Sequence, residues 1–141
     1  MTLNPKVWGP HGWFFMHSIT LAYPDSPTKE DKENIINFFN SVGKVLPCHK
    51  CRKNFKKHSA KLPLTDKIVS SREELVKWLI DFHNEVNEVT HKPKLSYEEV
   101  MDIYANAYKE PFYTSRTFNI VLISTLVAIL LILIYVFMRV V

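Results

Sequence analysis

The stretch Ser71–Val89, SREELVKWLIDFHNEVNEV, decides the fold. Ser71 followed by Glu74 three residues on forms a capping box, so a helix starts here and runs to about Val89. At about 100° per residue, Leu75, Trp78, Leu79, Phe82, Val86 and Val89 share one apolar arc. Glu74, Lys77, Asp81, Glu85 and Glu88 lie on the opposite, solvated side, and His83, Asn84 and Asn87 fill a third arc between them. A helix with that stripe has to bury it against other elements.

The neighbouring segments supply them. Pro10 to Ala22 reads as a first helix carrying Trp13, Phe14, Met16, His17 and Leu21, and stops before Pro24. Ser26 with Pro27 reads as the start of a second, with Ile35, Ile36, Phe38, Phe39 and Val42 at helical spacing. Pro47 and Cys48 open a third, to about Ala60, and Ser96 with Glu99 caps a fifth that carries Tyr97, Val100, Tyr104 and Tyr108 and ends before Pro111. Three glycines in 141 residues argue against a β-rich chain. Residues 1–113 therefore read as a small all-α helical bundle.

After a short linker at 114–117 the composition changes. Residues 118–138 hold no charge, and as a helix they span roughly 32 Å against a hydrocarbon core of about 30 Å. They read as one transmembrane helix, followed by a short tail at 139–141. Met1 to Gly9 lacks the pattern of a signal peptide. The expectation is a tail anchor with the helical domain on the cytosolic side, where Lys109 and Arg116 satisfy the positive-inside rule.

Setting Arg116 and Arg139 aside, 16 Lys and Arg face 14 acids, a balance too mild for a nucleic-acid binder. The two cysteines cannot staple a secreted mini-domain, because both sit in Cys48-His49-Lys50-Cys51. Such a pair can be a redox disulfide, half of a zinc site or inert; haem attachment needs a His where Arg52 stands. Zinc would recruit His58, on the face shared by Cys51 and Phe55, and another His. The redox reading rests on the helix N-terminus and on the run Lys44–Lys61, with seven Lys or Arg, two His and no acid, both of which favour thiolate.

Two other constellations bear on function. His83, Asn84 and Asn87, with Lys92 just beyond, are either satisfied by neighbours or present a polar face and a point charge to a phosphate-bearing ligand. Trp13 and His17, at i and i+4, either pack in the core or flank a flat ring.

Together these motifs resemble the Erv/ALR family of FAD-linked sulfhydryl oxidases. Gly9, Trp13 and His17 match its Gly-x-x-x-Trp-x-x-x-His signature, and Leu21 to Pro27 is similar to the sequence that follows it. Pro47 to Cys51 matches Pro-Cys-x-x-Cys. Trp78, His83, Asn84, Val86 and Asn87 match Trp-x-x-x-x-His-Asn-x-Val-Asn, with Lys92-Pro93 after it. Tyr104 falls where family members usually place a Trp. The resemblance covers about residues 6 to 110 and implies a four-helix bundle with a short fifth helix, binding FAD noncovalently, usually as a homodimer. It further implies FAD contacts from Gly9, Trp13, His17, Cys51, His83, Asn84, Val86, Asn87, Lys92 and Tyr104, with no metal. Cys51 would be the flavin-proximal sulfur and Cys48 the one exchanging with a dithiol protein, with oxygen as the final acceptor and hydrogen peroxide as product. Unlike many cellular members, the sequence has no second, shuttle Cys pair, which implies direct electron transfer from a thioredoxin-like partner. That economy, with an anchor, resembles the versions of large DNA viruses, and so a viral membrane. The alternatives are a zinc-stabilised, membrane-tethered interaction module and a flavin-free disulfide-exchange adaptor.

Overall fold

The computed structural model describes residues 2–109 and 116–140. Its helices are α1 (Pro5–Leu21), α2 (Lys29–Val45), α3 (His49–Lys61), α4 (Arg72–Val89), α5 (Tyr97–Ala107) and α6 (Arg116–Val140), with a 3₁₀ turn at Ile68–Ser70. No strand occurs among the described residues, so the all-α expectation holds. The chain divides into two compact units, Met1–Val100 and Met101–Val141, with the boundary inside α5. The expected domain end at 113 and residues 114–115 of the expected linker lie outside the described residues.

In the first unit α4 is the hub: α1, α3 and the 3₁₀ turn pack on it, and α2 packs on α3 and the turn. Leu75, Trp78, Leu79 and Phe82 on α4 meet Met16, Ile35, Phe39 and Val69 in one core. Phe39 stands edge-on to Trp78 at 4.9 Å, and Phe82 lies 4.7 Å from Phe55 and 5.4 Å from Trp78. Each such side chain contributes about 1.5–3 kcal/mol on burial. Val89, expected on the apolar arc, is exposed. The helix outruns its partners there, and the arc closes at Val86.

Two helix starts differ from expectation. Helix α1 begins at Pro5 rather than Pro10: the Asn4 side chain accepts the Lys6 N–H at 3.0 Å and Pro5 has no N–H to satisfy. Pro10 is carried inside the helix. Helix α2 is capped by Thr28, not Ser26. Thr28 Oγ1 accepts the Asp31 N–H at 3.2 Å while Asp31 accepts the Thr28 N–H at 2.8 Å, and this reciprocal pair outcompetes a lone serine. The Thr28 hydroxyl, donating to the Asp31 carboxylate at 2.7 Å, and then the Thr28 N–H hold that carboxyl below its ordinary range.

Polar ties join the ends of the elements. Trp78 Nε1 donates to the Leu62 carbonyl at 3.0 Å, and the Tyr23 hydroxyl donates to the Val69 carbonyl at 3.0 Å. Arg72 donates to the Tyr23 carbonyl at 2.6 Å and pairs with Asp25 at 3.3 Å, tying the turn after α1 to the start of α4. Past α4, His91 takes a left-handed conformation (φ 56°) that lets the Lys92 N–H return to the Asn87 carbonyl at 2.8 Å. In the second unit, α6 starts two residues before the expected span. Its segment Phe118–Arg139 contains an 18-residue window of mean hydropathy 3.1 and is long and apolar enough to cross a membrane.

Helices α2 and α3 approach closely at Gly43, where a Cβ would lie 2.4 Å from the Phe55 ring. Phe55 packs on Phe82 and has little room to retreat. Gly43→Ala gains about 1 kcal/mol of helix propensity but forces overpacking that costs about 1–3 kcal/mol. A lower melting temperature is expected; a melting temperature equal to or above that of the unaltered chain contradicts this packing.

Candidate functional site

The Cys-x-x-Cys pair is closed as a disulfide, Cys48 to Cys51, with 5.1 Å between the Cα atoms. Cys48 is the N-cap of α3 in extended backbone, and its Sγ accepts the Cys51 N–H at 3.2 Å. The sulfur thus sits at the positive end of the helix, where a thiolate is stabilised. Arg52 donates to the Leu46 carbonyl, and the Leu3 N–H donates to the Pro47 carbonyl at 2.9 Å, holding the turn before Cys48 from both sides. Cys48 is only 4% exposed, whereas Cys51 is partly open. One turn after Cys51, Phe55 packs on Phe82, the neighbour of His83.

Between α1 and α4 two imidazoles face each other, His17 Nε2 and His83 Nδ1 being 3.1 Å apart. Burial pushes His17 down to about 4. Burial, together with the nearby His17 and Lys92, pushes His83 down to about 3. Both rings are therefore neutral near pH 7, and one donates to the other. Trp13 stacks on His83 with centroids 3.8 Å apart and planes within 8°. Its ring is tilted by 44° from His17 at 6.2 Å, so Trp13 and His17 do not form the parallel walls of a ring sandwich. The flat platform is Trp13 on His83, one residue from each helix.

The other expected residues separate into groups. Asn84 is taken up by the backbone: Nδ2 donates to the Leu95 carbonyl at 2.8 Å and Oδ1 accepts the Leu95 N–H at 3.0 Å. It clamps the loop that carries Lys92 rather than presenting a free amide. Asn87 is buried, its carbonyl holds the Lys92 N–H, and Lys92 itself is exposed. Val86 packs against the core. At Gly9 a Cβ would meet nothing within 4 Å, so the glycine leaves a clear patch on α1. Tyr104 belongs to the second unit; it is buried, and burial with nearby Tyr108 pushes its hydroxyl up to about 12.

Sequence reasoning gave no role to Trp8, whose buried Nε1 has no hydrogen-bond partner among the described residues. Its place beside Gly9 was the available signal. His58 is likewise buried, with Nδ1 3.7 Å from Glu85 and Nε2 without a partner. Burial lowers its pKa despite the carboxylate. No three of His, Cys, Asp and Glu converge among the described residues, so the zinc reading lacks a ligand set. A groove of about 310 Å³ along α1 and α2, lined by Ile19, Tyr23, Ile35 and Phe38 among others, contains none of the expected site residues.

Taken as a binding surface, α1 and α4 offer an aromatic platform, two neutral imidazoles, an orphan indole donor, a patch free of side chain and a nearby cation. That donor set fits a ligand with flat rings and phosphates, which is the chemistry of FAD.

Comparison with known proteins agrees. The model of the Erv1/Alr family matches residues 10–105. The chain is 52% identical over 100 residues to a probable FAD-linked sulfhydryl oxidase of Acanthamoeba polyphaga mimivirus, covering 71% of this chain and 70% of that protein. It is 31% identical over 110 residues to the FAD-linked sulfhydryl oxidase of an African swine fever virus isolate, covering 78% and 90%. Among solved structures it is similar to the yeast Erv1 core, with a TM-score of 0.61, 32% identity, and coverage of 68% of this chain and 79% of that one. A disulfide at a helix N-terminus, a Trp–His platform and matched sequence across most of the first unit lead to one assignment: the chain belongs to the Erv1/Alr family.

Proposed function

We propose that this chain is an FAD-dependent thiol oxidase that makes disulfides in protein dithiols. The observation that carries the reading is the Cys48–Cys51 disulfide at the amino end of α3. Gly9, Trp13, His17, His83, Asn87 and Lys92 would hold FAD, with Asn84 and Val86 shaping the same surface; the family resemblance adds Tyr104 and puts Cys51 nearest the rings. When bound, FAD supplies a two-electron acceptor for the Cys48–Cys51 dithiol, and dioxygen takes the pair on as hydrogen peroxide.

The chain's own residues carry out the exchange. A substrate thiolate attacks one sulfur of the pair, the Cys48–Cys51 bond breaks, and a mixed disulfide forms as the other cysteine leaves as thiolate. The second substrate thiolate then attacks its partner sulfur in the mixed disulfide. The substrate departs oxidised, and its two electrons remain on Cys48 and Cys51. The helix N-terminus and the basic run of α3 stabilise the departing thiolate.

Family resemblance makes Cys48 the sulfur attacked. Two observations favour the reverse order: Cys48 is the buried sulfur, and it already accepts the Cys51 amide, which makes it the better leaving group. Trapping separates the two. With Cys48 as the exchanging sulfur, the lone thiol of Cys51→Ser displaces thionitrobenzoate from a single-cysteine protein substrate activated as that mixed disulfide and becomes linked to it, and Cys48→Ser does not; attack at Cys51 gives the opposite pattern. Both variants keep bound FAD and lose turnover, and normal turnover in either defeats the oxidase reading.

The partner we propose is a thioredoxin-like dithiol protein and the working form a homodimer. Helix α6 spans a membrane, with the oxidase domain on the cytosolic side; a viral membrane agrees with the relatives. An alkaline carbonate wash is expected to leave the chain in the membrane pellet, and release into the supernatant excludes an integral anchor.

The buried imidazoles predict the acid response. Folded His17 and His83 resist protonation, whereas in the unfolded chain they bind protons near 6.5. Stability is therefore full above pH 6.5 and falls as pH drops towards 4, by about 1.4 kcal/mol per pH unit per histidine. His83→Gln is expected to reduce that slope and to lower FAD occupancy. Urea midpoints between pH 7 and 5 check it; an unchanged slope contradicts a buried neutral pair.

A further inference from the structure

Helix α3 has two unlike faces. At about 100° per residue, Cys51, Phe55 and His58 point one way and are partly or fully buried. His49, Lys50, Lys53, Lys56 and Lys57 point the other way, within an arc of about 120°, and all are exposed. The charge on this face is unmatched. Among the described residues none of these four lysines has an ion-pair partner, although Lys29, Lys77 and Lys94 elsewhere each hold a glutamate. Of the α3 cations only Lys61 is neutralised, by Glu85 at 2.6 Å. No acid occurs between Lys44 and Lys61.

Such a face is unfavourable in the isolated chain. Lys50–Lys53, Lys53–Lys56 and Lys53–Lys57 are i,i+3 or i,i+4 neighbours, and like charges at those spacings destabilise a helix by a few tenths of a kcal/mol per pair. The face also begins at the disulfide: Lys53 lies about 3 Å and Lys57 about 9 Å along the axis from Cys51. A negatively charged segment lying along α3 would relieve the repulsion and bring its own neighbouring thiol to the cysteines.

We propose that the outer face of α3 docks an acidic segment that flanks the reactive cysteines of the dithiol substrate. This rests on the oxidase reading and specifies its substrate class: proteins whose Cys-x-x-Cys is bordered by Asp and Glu. The lysine field acts twice, raising the encounter rate with such a partner and stabilising the incoming thiol as thiolate. A lipid surface is the less suitable occupant. A helix that lies in a bilayer interface turns apolar side chains towards the lipid, and this face carries none larger than Ala60.

The test uses the full-length chain in detergent micelles with FAD. Oxygen uptake is followed with dithiothreitol and with two synthetic peptides of equal length, a Cys-x-x-Cys flanked by acidic residues and the same dithiol flanked by lysines. The acidic peptide is expected to exceed the basic one about tenfold in kcat/KM at low salt, with the gap closing at high salt. The triple variant Lys53→Glu, Lys56→Glu, Lys57→Glu is expected to reverse the preference, read as the ratio of the two peptide rates, while its dithiothreitol oxidation falls with the lost thiolate stabilisation. The corresponding Gln variant, which abolishes the preference without reversing it, guards against misfolding.

Equal rates for the two peptides, or a preference that survives the triple variant, overturns the proposal. Fluorescence anisotropy of the labelled peptides reads docking without turnover. Selective binding of the acidic peptide in a chain that cannot oxidise dithiothreitol upholds the surface and defeats the oxidase reading instead. In phosphatidylserine nanodiscs, protection of these lysines from acetylation together with loss of peptide preference would assign the face to lipid and overturn the proposal.

Discussion

A single shared proton between His17 and His83 sets the geometry on which the rest depends. With Nε2 and Nδ1 3.1 Å apart between α1 and α4, one ring must donate and the other accept, and the two cannot both be charged, because neither would then have a lone pair to accept. A slip of one residue along either helix would rotate its imidazole by about 100° and strand two polar rings among Met16 and Phe82. The pair therefore fixes α1 against α4. With that register set, Trp13, one turn before His17, falls flat on His83, and the far side of α4 turns Leu75, Trp78 and Phe82 towards Phe39 and Phe55.

Much of this was legible in the sequence because it is periodic. The stripe on α4, the helical run of α2 and the Ser96–Glu99 cap follow from spacing and short-range capping. The helix starts were less so. Asn4-Pro5 and Thr28-x-x-Asp31 are local signals as strong as Pro10 or Ser26-Pro27, and only the capping hydrogen bonds decide between them. At the site, the sequence put His83, Asn84 and Asn87 on one arc, but arcs say nothing about partners. Asn84 spends its amide on Leu95, eleven residues on, and Trp13 stacks on His83 rather than beside His17. Those are tertiary choices, invisible to a period of 3.6. The burial of Cys48 is of the same kind, since it depends on what the turn at Pro47 and the segment at Leu3 do together.

The loop after α4 shows how a backbone clamp can serve a charged side chain. His91 accepts a left-handed conformation that costs a non-glycine residue about 1 kcal/mol. In return the chain doubles back, the Lys92 amide closes on Asn87, and Asn84 holds Leu95. Lys92 is then carried on a stem fixed at both ends, close enough to His83 to help keep that ring neutral. The fixed stem and the neutral histidine belong together, because a mobile cation or a protonated His83 would change the charge of the platform with every fluctuation.

Helix α3 combines two electrostatic sources that act in the same direction. The Cys48 sulfur caps the helix and accepts an amide hydrogen, so it sees the positive end of the dipole at contact distance. The lysines of the outer face add whole charges a few ångströms further along. Both stabilise thiolate more than disulfide, because the disulfide carries no charge for them to act on. A pair whose dithiol form is favoured in this way is a stronger oxidant towards substrates. Direction is thus built into one short helix: its inward face anchors the cysteines to α4 through Phe55 and Phe82, and its cap and outward face bias the exchange towards taking electrons in. On the proposed reading, the opposing demand, that the pair then give those electrons up, cannot be met by α3 and would fall to the surface between α1 and α4.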